Sequence, residues 1–288
     1  YIGPQASNTA VLNLAIEGEW AIATAVGDSL ACRNAADFCQ TTKEVVSVTL
    51  AHWTFDGTLA DASGHGNDGS FAGYWTPLYS TGYDCTVRGA ARFEGDDYIR
   101  SANADGLPVY NYGAYSIAMW VKGPQQSDKR IFSESNTAGN NTPLFNIGTA
   151  NDGATGAVDL YIRGDSATPL NHIKSTGVAF DDTWHHIVWV DANGAAALYI
   201  DGVQDATDFT YTKPTMTVDT TTIAGILRGS PCCQFTGLID DVSIYNYILS
   251  EDQIAEMAVT PPECEPEVRV LAGDCNADGT LNVTDIIC

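Results

Sequence analysis

The chain reads as an all-β protein: two antiparallel sheets packed face to face as a sandwich, with a short C-terminal helix and a small appendage behind it. Three observations predict this. Short runs rich in Thr, Val, Ile, Tyr and Trp alternate with Gly, Asp and Asn turns from residue 48 to about 246. Apolar and polar residues alternate with period two inside those runs. One segment near the end switches to helical spacing and carries cap residues at its start.

The runs are Val48–Phe55, Ala90–Glu94, Tyr98–Ser101, Tyr115–Val121, Val158–Ile162, His185–Asp191, Ala196–Asp201 and Gly237–Tyr245. In the fourth, Tyr115, Ile117, Met119 and Val121 share a face, as expected of a strand with one side in a core between stacked sheets. Asn193-Gly194 lies between two alternating runs and predicts a hairpin turn, because both residue types tolerate positive φ. The helix is expected over Leu249–Ala258. Ser250 and Gln253 form a capping box, and Glu251 and Asp252 suit the positive end of the helix dipole.

Ahead of these runs, Leu12, Leu14, Ile16, Trp20, Ile22 and Val26 alternate with smaller or polar residues. The pattern predicts a long strand or a bent hairpin, with a helix as the competing reading. An apolar strand there would cover a sheet edge of the following domain or pair with a neighbouring subunit. Residues 1–47 are therefore an N-terminal extension and possible assembly segment, 48–258 the sandwich, 259–272 a Pro/Glu linker, and 273–288 the calcium-loop appendage.

Composition narrows the function. The 288 residues include 13 Lys and Arg against 36 Asp and Glu, a net charge of −23. Such a surface repels phosphate backbones and anionic membranes, which argues against nucleic-acid binding, and it favours cations. No stretch reaches the ~18 apolar residues of a membrane helix. Eight cysteines without paired CxxC elements suggest disulfides and an oxidising, extracellular or cell-surface location. No leader is evident at Tyr1, so secretion would mean a mature form. Cys32 and Cys39 could bridge locally, and Cys264, Cys275 and Cys288 could staple the terminal loop. The adjacent Cys232 and Cys233 are expected to bond elsewhere, one of them to Cys85.

The most specific motif is Asp274-Cys275-Asn276-Ala277-Asp278-Gly279-Thr280-Leu281-Asn282-Val283-Thr284-Asp285. Asp274, Asn276 and Asp278 occupy loop positions 1, 3 and 5, Gly279 the sharp turn at 6, and Asp285 closes the loop at 12. Thr280 offers a backbone carbonyl, and Asn282 a direct or water-mediated contact. The set predicts Ca2+ as cofactor. With Asp at position 12, Leu281 at position 8 and a helix start behind it, the loop resembles one repeat of a type I dockerin. That resemblance covers residues 274–288 and implies a docking partner for a complete pair of repeats.

The body carries a second resemblance. The pieces are His52-Trp53-Thr54-Phe55-Asp56, Asp61-Ala62-Ser63-Gly64-His65-Gly66-Asn67-Asp68-Gly69, Ala91–Ile99, Tyr115–Val121, Trp184–Val190, Leu198–Gly202 and Phe235–Tyr245. In this order, followed by Leu249-Ser250, they resemble the laminin G-like, concanavalin A-like jelly-roll family. The resemblance implies a non-catalytic sandwich with a structural or ligand-bridging calcium. By position, Asp56, the Asn67/Asp68 turn and Asp240 or Asp241 are its expected ligands.

No catalytic constellation stands out. His185-His186 lack a third metal ligand, and one should face inward and the other outward. A glycosidase needs two carboxylates flanking one bond. Asp240 and Asp241 are adjacent in a strand and should point to opposite faces. We therefore expect no enzyme. The leading expectation is a secreted recognition or adhesion module for a glycan or extracellular protein, with Tyr74, Trp75, Tyr79 and Tyr83 as ligand-stacking aromatics. A self-associating subunit of an extracellular fibre or surface layer, and an accessory module of a polysaccharide-processing complex, are the alternatives.

Overall fold

The computed structural model describes residues 10–16, 19–25, 47–73 and 77–264. The terminal calcium loop (Asp274, Asn276, Asp278, Thr280, Asn282 and Asp285) and the aromatic pair Tyr74 and Trp75 lie outside the described residues.

Two compact units divide at residue 46. In the first, β1 (Ala10–Ile16) pairs antiparallel with β2 (Glu19–Ala25), from Ala10 opposite Ala25 to Ile16 opposite Glu19. Period two makes a hairpin here, and the helical reading is set aside.

The second unit opens with β3 (Thr49–Trp53), β4 (Gly69–Ala72), β5 (Leu78–Ser80), β6 (Ala90–Glu94), β7 (Tyr98–Ser101) and β8 (Ala114–Lys122). Next come β9 (Arg130–Ser135), β10 (Leu144–Thr149), β11 (Ala157–Arg163), β12 (Leu170–Val178) and β13 (His185–Ala192). It closes with β14 (Ala195–Ile200), β15 (Val203–Gln204), β16 (Thr220–Ile223), β17 (Thr236–Tyr245) and helix α1 (Glu251–Met257). Seven strands form one sheet in the order β12-β11-β10-β9-β16-β7-β4. The other runs β15-β14-β13-β8-β17-β6-β5, and β3 also pairs with β17. The strand pairs are antiparallel, as the alternating patterns predict.

The core lies between the sheets. Tyr115, Ile117, Met119 and Val121 of β8 meet Ile187 and Trp189 of β13 and Phe132, Phe145 and Ile147 from the facing sheet. Across the other face of β8, Ala118 joins Val188, Val190, Tyr199, Leu249 and Ile254 under α1. The capping box forms as expected: Gln253 N–H donates to Ser250 Oγ at 3.2 Å, and Ser250 N–H donates to Gln253 Oε1 at 2.9 Å. At the β13–β14 hairpin, Asn193 and Gly194 take φ of 54° and 94°, the left-handed pair that matches strand twist.

Cys32, Cys39, Cys275 and Cys288 lie outside the described residues; among the described residues the disulfides differ from the expected pairing. Cys232 bonds its own neighbour Cys233, and Cys85 bonds Cys264, 179 residues away. Among the described residues no helix is long and apolar enough to cross a membrane.

Candidate functional site

Three segments build one acidic pocket, lined by Thr54, Asp56, Tyr83, Asp84, Asp240 and Asp241. Thr54 and Asp56 follow β3. Between them Phe55 is fully buried and adopts φ 55°, a conformation uncommon for a bulky residue, and the turn leaves Asp56 exposed at the rim. Tyr83 and Asp84 lie on the loop between β5 and β6. The two remaining carboxylates come from the middle of β17.

Adjacent residues on a regular strand would point to opposite faces. Here the pairing of β17 with β8 shifts register between Asp240 and Ser243, and Asp241 takes φ 48°. This bulge turns both carboxylates to the same pocket and corrects the expectation from alternation. Left-handed non-glycine residues on both sides of one pocket mark a locally strained wall, a feature concentrated at binding sites.

Asp240 is 3% exposed, and its Oδ2 accepts a hydrogen bond from Tyr83 N–H at 3.2 Å. Gly82 permits that approach, because a Cβ there would sit 2.6 Å from the same oxygen. Burial, reinforced by the charges of Asp241 and Asp84, pushes the Asp240 carboxyl up to about 8. Tyr83 is pushed up to about 12 by burial and by the surrounding carboxylates. His52 Nε2 pairs with Asp241 Oδ1 at 2.5 Å, and that hydrogen bond raises its pKa against the opposing effect of burial. Neither Lys nor Arg lines the pocket.

A lining that offers oxygen donors and no nitrogen or sulfur side chain suits a hard cation such as Ca2+. Asp56, Asp84, Asp240 and Asp241 are the residues that could hold one. Among the described residues no three His, Cys, Asp or Glu side chains already share ligating geometry. Main-chain carbonyls and water would complete such a shell.

Asn67 and Asp68 belong to a different network. Asn67 is fully buried; its Nδ2 donates to Leu50 O at 2.9 Å and Asp105 O at 2.6 Å, and its Oδ1 accepts from Ala104 N–H at 2.8 Å. Asp68 Oδ1 accepts from Asp61 N–H at 2.8 Å. Asp61 in turn accepts from the N–H groups of His52, Ser63 and Asn67, each at 2.9 Å. These side chains shape the loop after β3; of the expected set, Asp56 and Asp240 meet in the acidic pocket, and Asn67 and Asp68 are not part of its lining.

The aromatic set separates as well. Tyr79 lies under Arg88, 5.1 Å from guanidinium carbon to ring centre. Tyr83 instead stacks on Trp120. His186 Nε2 and Nδ1 lie on the outer side of β13, where the ring is 2% exposed and 5.0 Å from Trp120. His185, on the opposite face, bonds Asp201 and Asp181. The two histidines thus divide between faces as expected, and neither enters the acidic pocket. Sequence reasoning missed Asp84, whose nearness to β17 depends on a long-range loop, and it left Asp240 and Asp241 as alternatives.

Residues 93–255, more than half of the chain, match a laminin G family model described as the Concanavalin A-like lectin/glucanases superfamily. The chain belongs to that superfamily. Among solved members of this general fold, domain 4 of AbnA, a GH43 extracellular arabinanase from Geobacillus stearothermophilus in complex with arabinotriose, superposes with a TM-score of 0.55. Identity is 23%, covering 74% of this chain and 99% of that one. The botulinum neurotoxin serotype D/C binding domain superposes at 0.54 with 15% identity, over 75% of this chain and 52% of that one. The adhesion G-protein coupled receptor V1 of Danio rerio is 23% identical over 153 residues, which are 52% of this chain and 2% of the receptor. This superfamily member therefore spans about half of the neurotoxin's binding-domain chain and a small part of the receptor. The resemblance of the body residues to the concanavalin A-like jelly roll is borne out.

Proposed function

We propose that this chain is a secreted, non-catalytic recognition module that binds a glycan or an extracellular protein and carries calcium. The observation that carries the reading is the set Asp56, Asp84, Asp240 and Asp241 around one pocket without a lining cation. A bound Ca2+ would offset their repulsion and bridge the β17 bulge to the loop holding Tyr83. The terminal loop from Asp274 to Asp285 supplies a second calcium site of independent sequence logic.

Support for glycan as the ligand comes from the superfamily and from the arabinanase domain, whose structure was solved with arabinotriose. A neurotoxin D/C binding domain solved with rat synaptotagmin II supports a protein ligand as the other outcome. The arabinanase domain also favours the accessory-module reading, in which this chain serves a polysaccharide-processing complex.

Catalysis is disfavoured by the geometry of the acids. Asp240 is almost fully buried and bonded to backbone, so it is badly placed to protonate a glycosidic oxygen. The test is a glycan array probed in calcium and in chelator, with a reducing-sugar assay on every glycan bound. Calcium-dependent binding without hydrolysis is expected. Release of reducing ends, or the absence of binding to both glycans and extracellular protein panels, would overturn the proposal.

A further inference from the structure

A second cleft lies at the other sheet, lined by Ala72, Gly73, Asp96, Tyr98, Pro231 and Gln234. We propose that it binds a neutral saccharide unit, with one sugar ring lying on the Tyr98 phenol and its hydroxyls held by Asp96 and Gln234. The proposal rests on the recognition reading above and names the ligand class and its place.

The platform follows from the strand register. Ile99 of β7 faces the core and is 1% exposed, so Tyr98 beside it points outward, opposite Ala72 on the edge strand β4. Tyr98 is half-buried because Gly225 packs against it; a Cβ on Gly225 would meet the Tyr98 Cβ at 3.1 Å. Gly73 likewise lets β4 approach the turn after β6, since a Cβ there would meet the Asp97 Cβ at 2.7 Å. The base of the Tyr98 side chain is thus packed close against the loop, and Tyr98 is itself part of the cleft lining.

The flanking polar groups are unspent. Asp96 stands exposed in the turn after Gly95, and Gln234 is half-buried. Neither side chain has a hydrogen-bond partner among the described residues. A half-buried primary amide brings two donors and an acceptor, and a carboxylate can accept from two adjacent hydroxyls. An aromatic face flanked by such groups complements a sugar, whose ring has apolar C–H faces and a hydroxyl perimeter. The cleft holds ≈ 330 Å³, the small end of the range for ligand sites, which suits one or two sugar rings. A chain of net charge −23 with Asp96 at the cleft selects against anionic sugars.

The loop bearing Gln234 is held rigid. Ile226 and Cys232 exchange two backbone hydrogen bonds at 3.0 and 3.1 Å; Arg130 N–H donates to Cys233 O at 2.9 Å, and Phe235 N–H donates to Ala224 O at 3.0 Å. The disulfide between neighbouring Cys232 and Cys233 constrains the two residues separating Pro231 from Gln234. Fixing the backbone on either side of Gln234 before ligand arrives lowers the ordering cost of binding.

The test is calorimetric titration and saturation-transfer NMR of the 288-residue chain, in calcium, with arabinotriose, xylotriose, cellotriose and maltotriose, and with sialyllactose as the anionic control. At least one neutral trisaccharide is expected to bind and sialyllactose to bind more weakly. Tyr98→Ala should weaken binding about tenfold or more, and Gln234→Ala about three- to tenfold. Circular dichroism and urea midpoints close to wild type establish that both variants are folded; if Tyr98→Ala is not, Gln234→Ala decides. If a neutral sugar binds wild type and the folded variants equally well, the cleft assignment fails and the recognition reading stands. If sialyllactose binds best, the neutral-ligand assignment fails. If no saccharide binds wild type, this proposal and the glycan reading fall together.

Discussion

Tyr83 and Trp120 stack face to face, with ring centres 4.3 Å apart and planes 9° from parallel. Trp120 projects from the outer face of β8 between His186 of β13 and Asp240 of β17, its register partners on either side. The stack therefore pins the loop carrying Asp84 onto the sheet that supplies Asp240 and Asp241. Packing of aromatic rings sets the shape of an acidic pocket.

Tyr83→Ala removes this contact and leaves a void over Trp120. We expect a loss of about 2–4 kcal/mol in urea unfolding. Tryptophan emission should shift to longer wavelength in the folded variant as Trp120 gains water. A change below about 0.5 kcal/mol would mean that the loop is held by other contacts.

Asn67→Ala should be more damaging than its small size suggests. It leaves the carbonyls of Leu50 and Asp105 and the N–H of Ala104 without their buried partner. The expected loss is about 3–4 kcal/mol in chemical denaturation, with the calcium count unchanged in calorimetry. A lost calcium with little change in stability would restore Asn67 as a metal ligand.

Acid sensitivity should trace to His186. Burial lowers its pKa from 6.5 to about 4, and its Nδ1 has no hydrogen-bond partner. As pH falls below 6.5 the unfolded chain takes up this proton first, so stability declines towards pH 4 and this contribution levels off below it. The full effect is about 3 kcal/mol. His186→Phe should flatten that part of the profile; Asp240 and Glu134, whose raised pKa values act in the opposite direction, cancel in the comparison of variant with wild type. Parallel stability profiles for the two proteins between pH 4 and 6.5 would contradict the assignment.

Two calcium sites should be separable by substitution. Asp240→Asn is expected to remove the ion at the β17 bulge and leave the terminal loop, and Asp278→Asn to do the reverse, each lowering the stoichiometry of a calcium titration by one. If Asp240→Asn leaves the stoichiometry intact, the bulge pocket holds no calcium.

Much of the sandwich was legible because burial imposes period two. The apolar face of β8, the Asn193-Gly194 turn and the Ser250–Gln253 cap all express local chemistry that survives folding unchanged. The pocket was less legible because it depends on departures from regularity. Alternation assigns Asp240 and Asp241 to opposite faces, and a bulge with Asp241 at φ 48° overrides it. Asn67 looked like a cation ligand because amide oxygens serve both purposes; its three close backbone partners give it a structural task. Asp84 and the Cys85–Cys264 bond join segments far apart in the chain, where composition and spacing carry no information.

That covalent bond has a mechanical consequence. Cys264 follows α1 in the chain, and Cys85 sits next to Asp84 on the pocket loop. A pull transmitted from beyond Cys264 enters the domain through sulfur at Cys85 and spreads into the loop before β6. It does not have to peel α1, a seven-residue helix whose buried anchor is Ile254, from the sheet. Tension on the C-terminal tail is thus delivered beside the acidic pocket, and the helix is shielded from it for as long as the cysteines stay oxidised.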